Sequence, residues 1–527
     1  MDPVIATFVI LGLAVVAFVS GKIPLPVVAV GVALALWATG VLTLPEALSG
    51  FGDPTVAFIA TLFVVSESLD ATGVTAWVGQ RVISRVGSGR ATLLVVVMLI
   101  AAVMSAFISI NGAVAALLPV VVVVAVRAGL VPSRLLIPLA FAASAGSLLT
   151  LTGTPVNVVV SQAAQAAGGR AFGFFEFAVA GIPIVALTVV IVALFGNRLL
   201  PDRDPEHLDA PDTSRTAQRL RESYAVTADT SQLFSVREGA AEVMIAPRSR
   251  LIGRTVYAGM TTRDENLVIL GVRRGDVHAD EVTGAHSGEL TLRAGDAVLV
   301  QGPWAALERY VRSSDVIAVI PPQTLQRAVP LGRGAKRSLG ILALMVVLLA
   351  TGVVPPAVAG LIAAGGLLLT RVLTLPQVYR SISWTTVILL AGMFPLSNAF
   401  VSTGAADVVA HAVLTLTGGA SPVLALLVLC VVTLVLGQFI SNLATVLVVA
   451  PIAVSVSQTL GVSIQPFMMA LTVVGAAAFL TPIATPVNLM VMQPGGYRFG
   501  DYWRLGLPLS LVFLAVAVLY VPLIWRF

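Results

Sequence analysis

The stretch Leu149–Val160, LTLTGTPVNVVV, gives the clearest indication of the fold, because Leu480–Val491, LTPIATPVNLMV, repeats it. Both segments begin with Leu-Thr and carry Thr-Pro-Val-Asn before a valine. Three pairs of landmarks share a spacing of 331 positions: Asn157 with Asn488, Asn111 with Asn442, and Thr72-Gly73 with Thr403-Gly404. A common spacing indicates an internal duplication of roughly two hundred residues, because unrelated packing motifs would not keep one offset.

The composition places both copies in a membrane. Of the 527 residues, 57% are hydrophobic and 11% are charged, whereas about a quarter of the residues in a soluble domain are charged. Long apolar runs fill 1–199 and 338–527, while 200–337 is ordinary polar sequence. We therefore predict an all-α polytopic membrane protein with a soluble insert. The net charge of +5 fits basic cytoplasmic edges and gives no reason to expect a nucleic-acid partner.

The same pattern predicts five segments. The insert contains short strand-like runs, EVMIA, NLVILGVRR and DAVLVQG, with Gly and Asp between them, which indicates a small α+β, β-rich domain. The predicted segments are a first transmembrane repeat (1–199), a linker (200–234), the small domain (235–320), a second linker (321–337) and a second transmembrane repeat (338–527).

Several predicted spans are shorter than the about 20 residues that cross a bilayer. Two short pairs, 92–108 with 112–127 and 422–440 with 443–460, meet at the polar tips SING and SN, which favours re-entrant hairpins. Two further spans, 134–167 and 466–493, are broken in the middle. A hairpin and two complete spans have the same parity, so both remain open.

The basic residues predict the orientation. Most of them fall on one side if the insert is cytoplasmic, and the two halves then become inverted repeats of the kind found in secondary transporters. We expect a multi-pass protein of the plasma membrane with a cytoplasmic insert.

The tips and breaks create ends of half-helices inside the protein. A proline within a helix removes a hydrogen bond, so the helices restart after TGTP and IATP, and two more begin at the tips. Four positive helix ends around one cavity predict an anion site. Neutral oxygens suited to Na⁺ surround it, which predicts two cation sites, one per repeat. These oxygens belong to freed carbonyls and to Ser109, Asn111, Thr152, Thr154, Ser441, Asn442 and Thr485.

Sodium is favoured over protons as the coupling ion, because the tips and breaks contain no Asp, Glu, His or Lys. Glu67 is the acidic residue within a predicted span, and it lies near the cytoplasmic edge. A structural alternative is interhelical hydrogen bonding by Asn111 and Asn442. For Thr150 and Thr481, backbone pairing beside the break is an equal alternative.

These motifs resemble the divalent anion/sodium symporters, the dicarboxylate and sulfate carriers of the solute carrier 13 group within the ion transporter superfamily. The resemblance implies a homodimer, elevator-like movement and Na⁺ contacts at two sites. The implied Na⁺ contacts are Ser109, Asn111, Thr152 and Gly153 in the first repeat, and Ser441, Asn442, Thr481 and Ala484 in the second. The implied substrate contacts are Asn111, Gly112, Thr154, Asn442, Leu443 and Thr485.

The chain departs from this family at the tips. The family threonine after each asparagine is Gly112 in one repeat and Leu443 in the other, and Ile110 separates Ser109 from Asn111. Two hydroxyl donors are lost, which weakens the expectation of a dicarboxylate relative to sulfate.

The insert resembles the TrkA-C (RCK-C) regulatory domain of potassium-uptake and potassium-channel proteins, through EVMIAPRSRLIGRTV, ILGVRRGD and LRAGDAVLVQGP. This resemblance implies pairing of the domain and regulation by a small ligand, whose identity the sequence does not give.

The leading prediction is a sodium-coupled symporter of a divalent anion, regulated by its cytoplasmic domain. The alternatives are a proton-coupled antiporter or arsenite-type oxyanion efflux permease on the same fold, and a membrane sensor. An enzyme is disfavoured, because the sequence shows no nucleophile–base or metal-ligand pattern.

Overall fold

The computed structural model describes residues 2–20, 22–75, 77–78, 89–127, 130–203, 224, 238–263, 265–274, 277–278, 290–319, 334–416 and 421–527. Contacts divide the chain into two compact units. The first unit comprises Met1–Ser68, Val82–Leu208 and Arg337–Phe527. The second comprises Leu69–Arg81 and Asp209–Lys336.

The first half of the chain is helical. Its helices are α1 (Pro3–Ser20), α2 (Leu25–Ala38), α3 (Leu44–Ala47), α4 (Pro54–Ala71), α5 (Arg90–Phe107), α6 (Ile110–Arg127), α7 (Ser133–Gly146), α8 (Pro155–Ala166) and α9 (Phe177–Leu199). The paired short helices α5 and α6 pack against each other and meet at the predicted SING tip. The predicted broken span is α7, a short non-helical segment and α8.

The second half repeats this order. After the insert come α11 (Ala335–Thr351), α12 (Pro356–Leu369), α13 (Leu375–Ser381), α14 (Trp384–Ser402), α15 (Ala405–Leu416), α16 (Pro422–Leu436), α17 (Asn442–Leu460), α18 (Gln465–Gly475), α19 (Pro486–Met492), α20 (Tyr502–Ala515) and α21 (Val521–Ile524). A π-helical turn, Val516–Tyr520, joins α20 to α21. Helices α16 and α17 pack together and meet at the second tip.

Seven helices of the described ranges are long and apolar enough to cross a membrane. They are Pro3–Ser20, Pro54–Ala71, Arg90–Phe107, Phe177–Gly196, Trp384–Ser402, Asn442–Leu460 and Phe499–Ile524. Shorter apolar helices, among them α6, α7, α16 and α18, lie between them. The prediction of an all-α membrane protein with a β-rich insert is confirmed.

The predicted span 26–46 is wrong in its second part. Helix α2 ends at Ala38, and the short α3 begins with a capping box in which the Glu46 carboxylate accepts from the Thr43 backbone N–H at 2.8 Å. The same box recurs at Thr374, whose N–H donates to the Gln377 side chain at 2.8 Å. Helix α15 is a further element that the hydropathy pattern did not predict.

Glycines bring the two halves together at equivalent places. A Cβ atom on Gly392 of α14 would lie 2.6 Å from the Ala29 backbone of α2. A Cβ atom on Gly360 of α12 would lie 2.1 Å from the Thr61 hydroxyl of α4. Ala29 and Gly360 are 331 positions apart, as are Thr61 and Gly392, so the duplication is visible as reciprocal packing. We call α2, α4, α12 and α14 the framework helices.

The hairpins and broken helices also pack reciprocally. Helix α17, the second arm of the second hairpin, packs against α8 of the first repeat. Helix α6, the second arm of the first hairpin, packs against α19 of the second repeat. Each hairpin therefore crosses to the break of the other repeat.

The second unit contains a five-stranded antiparallel sheet in the order β4-β3-β6-β1-β7. Its strands are β1 (Glu238–Ile245), β3 (Val268–Arg274), β4 (Val277–His278), β6 (Ala297–Pro303) and β7 (Val316–Ala318), and β2 (Thr255–Val256) pairs separately with β5 (Leu290–Thr291). Helix α10 (Trp304–Val311) packs on β1 and β6. Val243, Val300 and Leu307 lie in the core of the unit. The three predicted strand runs correspond to β1, β3 and β6.

Gly392→Ala tests the close packing of the framework. The added methyl group meets backbone rather than a flexible side chain, so we expect a loss of about 1–3 kcal/mol in unfolding free energy. The measurement is the melting temperature of the purified protein in detergent. Gly365→Ala is the matched control, since a Cβ there has nothing within 4 Å. An equal melting temperature for both variants would contradict this packing.

Candidate binding site at two broken helices

The first break lies between α7 and α8. A 3₁₀ turn, Ser147–Leu149, follows α7, and the chain then extends to Thr154. Helix α8 begins at Pro155, which has no N–H to leave unpaired. The Thr154 hydroxyl caps it by accepting from the Val156 N–H at 3.4 Å.

The second break has the same plan with a different turn. Helix α18 ends at Gly475, and a 3₁₀ turn, Pro482–Ala484, precedes α19. The Thr485 hydroxyl accepts from the Asn488 N–H at 3.3 Å. Helix α19 has only 7 residues, so its N-terminus contributes less dipole than the sequence pattern of four equal helix ends implied.

An asparagine amide holds each break together. The Asn157 Nδ2 donates to the Ser147 carbonyl at 2.9 Å and to the Thr150 carbonyl at 2.8 Å. The Asn488 Nδ2 donates to the carbonyls of Ala478 and Thr481, both at 3.0 Å. All four carbonyls keep the 331-residue spacing. One asparagine side chain thus donates to two backbone carbonyls of the interrupted stretch, and we call this contact the amide clamp.

Asn157 and Asn488 are landmarks of the duplication, and the sequence pattern alone predicts no role for their side chains. Both side chains are buried, at 0% and 1% exposure. The signal that pointed to them was an amide at the same place in two otherwise apolar motifs.

A threonine ties each break to its own hairpin. The Thr150 hydroxyl donates to the Ala106 carbonyl at the end of α5, and the Thr481 hydroxyl donates to the Gln438 carbonyl at 3.1 Å. Both threonines therefore make the backbone hydrogen bond that the structural alternative predicts. The ties bring the first break to the first tip and the second break to the second tip.

Gln438 strengthens the second tie, and sequence reasoning missed it. Its Nε2 donates to the Ala477 carbonyl at 3.1 Å, and its Oε1 accepts from the Leu480 N–H at 2.9 Å. The amide is useful here because buried, extended chain has backbone groups with no helical partner.

The two tips differ by one residue in the distance from the capping serine to the asparagine. Ser109 caps α6 by accepting from the Gly112 N–H at 3.2 Å, and Ser441 caps α17 by accepting from the Ala444 N–H at 3.3 Å. The predicted cation ligands Ser109 and Ser441 are therefore equivalent. Asn111 is the second residue of its helix, whereas Asn442 is the first residue of its helix.

Four other residues predicted for the site are buried within the breaks and tips. Thr152 is buried, with its hydroxyl 3.3 Å from that of Thr150. A Cβ atom on Gly153 would lie 2.2 Å from the Ser147 carbonyl oxygen, so only glycine fits there. Ala484 and Leu443 are buried.

Two amide oxygens of these segments are buried without a hydrogen-bond partner, Asn157 Oδ1 and Asn442 Oδ1. Leaving such a group unpaired costs about 1–3 kcal/mol. A small hard cation takes amide, hydroxyl and carbonyl oxygens of this kind. Within the described ranges no cluster of three His, Cys, Asp or Glu side chains is placed to hold a metal ion, so the donor set available here is neutral and fits a monovalent cation.

The spans, the crossed hairpins and the two clamped breaks define a multi-pass membrane transporter. The sequence profile of the citrate transporter family (CitMHS) matches residues 15–474 and 417–527. The chain belongs to this family, which lies in the ion transporter superfamily, and the predicted resemblance is confirmed at this level.

Two curated relatives illustrate the range of similarity. The transporter YfbS of Escherichia coli (strain K12), described as uncharacterized, is 30% identical over 98% of both chains. Probable sodium/sulfate cotransporter 3 of Chlamydomonas reinhardtii is 25% identical over 52% of this chain and 31% of its own length. The YdaH transporter of Alcanivorax borkumensis is a solved structure with a TM-score of 0.50 and 13% identity, covering 99% of this chain and 98% of its own, which supports the fold alone.

Asn488→Leu tests the amide clamp. The leucine leaves the carbonyls of Ala478 and Thr481 without their donor, and we expect about 1–3 kcal/mol of lost stability for each unpaired group, read as a lower melting temperature. Ile483→Ala in the same break is the control, because its side chain is 57% exposed. A melting temperature for Asn488→Leu at or above that of the control would exclude the clamp.

Proposed function

We propose that this protein is a sodium-coupled symporter of a small divalent anion, sulfate or a dicarboxylate. The anion binds between the two tips and breaks, and one Na⁺ binds in each repeat. The observation that carries the proposal is the pair of buried, unpartnered amide oxygens, Asn157 Oδ1 and Asn442 Oδ1, one in each repeat. Each lies in a segment where the helix is interrupted and the backbone is held by side-chain amides.

Sodium fits this donor set better than a proton does. Proton transfer through a membrane needs a titratable group in the pathway, whereas Asn, Ser and Thr remain neutral. The proposed cation ligands are the hydroxyls of Ser109 and Ser441, the amide oxygens of Asn157 and Asn442, and the predicted Asn111, Thr152, Gly153, Thr481 and Ala484 at the tips and breaks.

The anion has backbone N–H groups available to it. Helices α6, α8 and α17 are long enough to carry a positive N-terminal end. Gly112 and Leu443 offer no hydroxyl, so the anion relies on backbone N–H groups and on the side chains of Asn111, Asn442, Thr154 and Thr485. The family name and the cotransporter relatives support a carboxylate or sulfate in this role.

Transport follows an elevator-type movement in this proposal. The crossed hairpins and breaks form the moving part and the framework helices stay in place, in a homodimer in the plasma membrane. The inserted sheet domain is a cytoplasmic regulatory domain of the TrkA-C type that binds an unidentified small ligand.

A proton-coupled antiporter or oxyanion efflux permease is the second candidate. It is favoured by the position of Glu67, half-buried on α4 directly after Ser66, whose hydroxyl contacts the first tip. This function predicts that Glu67→Gln abolishes flux, while Na⁺ has no effect.

Uptake into proteoliposomes distinguishes these functions. Labelled sulfate, succinate and citrate are each presented with an inward Na⁺ gradient, with K⁺, and with a proton gradient alone. We expect uptake to require Na⁺ and to fall at least tenfold in Asn442→Ala, because a missing cation ligand costs more than about 1.4 kcal/mol, the equivalent of a factor of ten.

Asn398→Ala is the matched control, since Asn398 is an exposed asparagine on the framework helix α14. We expect it to keep uptake within about twofold of wild type, a difference of less than about 0.5 kcal/mol that is usual for surface substitutions. If uptake of any of these anions is independent of Na⁺ and requires a proton gradient, the symporter proposal is wrong and the second candidate function is favoured.

A further inference from the structure

The framework helix α4 makes a direct polar contact with the first tip. Ser66 is a buried residue of α4, and its hydroxyl oxygen accepts from the Ser109 N–H at 3.1 Å. The same hydroxyl donates to Ser109 Oγ at 3.4 Å. Sequence reasoning gave Ser66 no role, because it lies 43 residues from Ser109 and outside both duplicated motifs.

The Ser66 hydroxyl and a cation would compete for the same oxygen, Ser109 Oγ. A hydroxyl oxygen has two lone pairs, and Ser109 Oγ receives the Gly112 N–H at 3.2 Å and the Ser66 hydroxyl at 3.4 Å. Both acceptor positions of Ser109 are therefore in use. A cation can coordinate this oxygen only after one donor leaves, and the Gly112 N–H is fixed by α6.

The second tip differs in this respect. Ser441 Oγ receives the Ala444 N–H at 3.3 Å, which is the one donor to that oxygen in the described ranges. One lone pair of Ser441 remains for a cation. The equivalent of Ser66 in the second repeat is Ser397, 331 positions later on α14.

We propose that Ser66 is a positioning residue that latches the first tip to the framework, and that a cation binding to Ser109 Oγ displaces the Ser66 hydroxyl from that oxygen and so weakens this latch. The inference rests on the proposed function, because it takes Na⁺ to be the cation at the tip. Helix α4 is held in the framework by the close contact of Thr61 with Gly360. The latch therefore joins the proposed moving part to the proposed fixed part, and occupation of the first site reduces it to the Ser109 N–H bond.

The order of binding follows from the same asymmetry. The second site has a free lone pair and binds its cation first. The first site binds its cation second, at the expense of the hydrogen bond from the Ser66 hydroxyl to Ser109 Oγ, so weakening of the latch accompanies complete loading.

Na⁺-dependent thermal stabilisation of the purified protein in detergent tests the latch without measuring transport. Ligand binding stabilises the folded state by RT ln(1 + c/Kd), where c is the Na⁺ concentration, so fitting the melting temperature against c gives the apparent Kd, which is the half-saturating Na⁺ concentration. Removing the competing hydroxyl in Ser66→Ala should lower that concentration by roughly three- to fivefold, the factor equivalent to one modest hydrogen bond. Ser66→Thr keeps the hydroxyl and should restore the wild-type value.

Ser397→Ala is the matched control and should leave the half-saturating concentration within about twofold, the range of a substitution without a specific contact. If Na⁺ stabilises the wild-type protein and Ser66→Ala has the same half-saturating Na⁺ concentration, the latch alone is overturned. A raised concentration in Ser66→Ala would make Ser66 a ligand of the cation and would also overturn it. A wild-type melting temperature that ignores Na⁺ would overturn both the latch and the proposed sodium coupling.

Discussion

Everything in the candidate site depends on one interaction, the asparagine amide that spans each helix break. A helix interrupted within a membrane leaves N–H and C=O groups that water cannot satisfy, at several kcal/mol for each group, roughly. Asn157 and Asn488 each donate to two such carbonyls. Because an amide carries no charge, the backbone is held open without placing a fixed ion beside the site. The proposed cation and the proposed anion can then both be accommodated.

The duplication brings the hairpins and breaks of the two repeats into contact. Each hairpin crosses to the break of the other repeat, through the contacts of α17 with α8 and of α6 with α19. The glycine contacts of the framework repeat at the same spacing. A single repeat would leave its hairpin and its broken helix without their packing partners, so these elements of the two halves depend on each other.

The sequence predicted the parts of this site that local chemistry determines. The prolines at the start of α8 and α19 and the two broken spans follow from rules that act within a few residues. Hydropathy did not predict α15 or the early end of α2, because a capping box and a short helix change mean hydropathy little. The amide clamp was recognisable only as a pair of matching asparagines.

Contacts over long sequence distances could not be predicted. Gln438 reaches Ala477 and Leu480 across 39 and 42 residues, and Ser66 reaches Ser109 across 43. These contacts depend on which helix faces lie together, which one sequence does not determine. For the same reason, the equal spacing of Asn111 and Asn442 concealed their different positions in α6 and α17.

Equilibrium binding of radioactive sodium to the purified wild-type protein, with saturating sulfate or succinate present, tests whether the interrupted helices form sodium sites. If the two breaks and tips form two cation sites of neutral oxygens, the binding isotherm saturates at two ions per chain. Binding that does not saturate, or that an excess of unlabelled Na⁺ fails to displace, would contradict the claim that these interrupted helices form sodium sites.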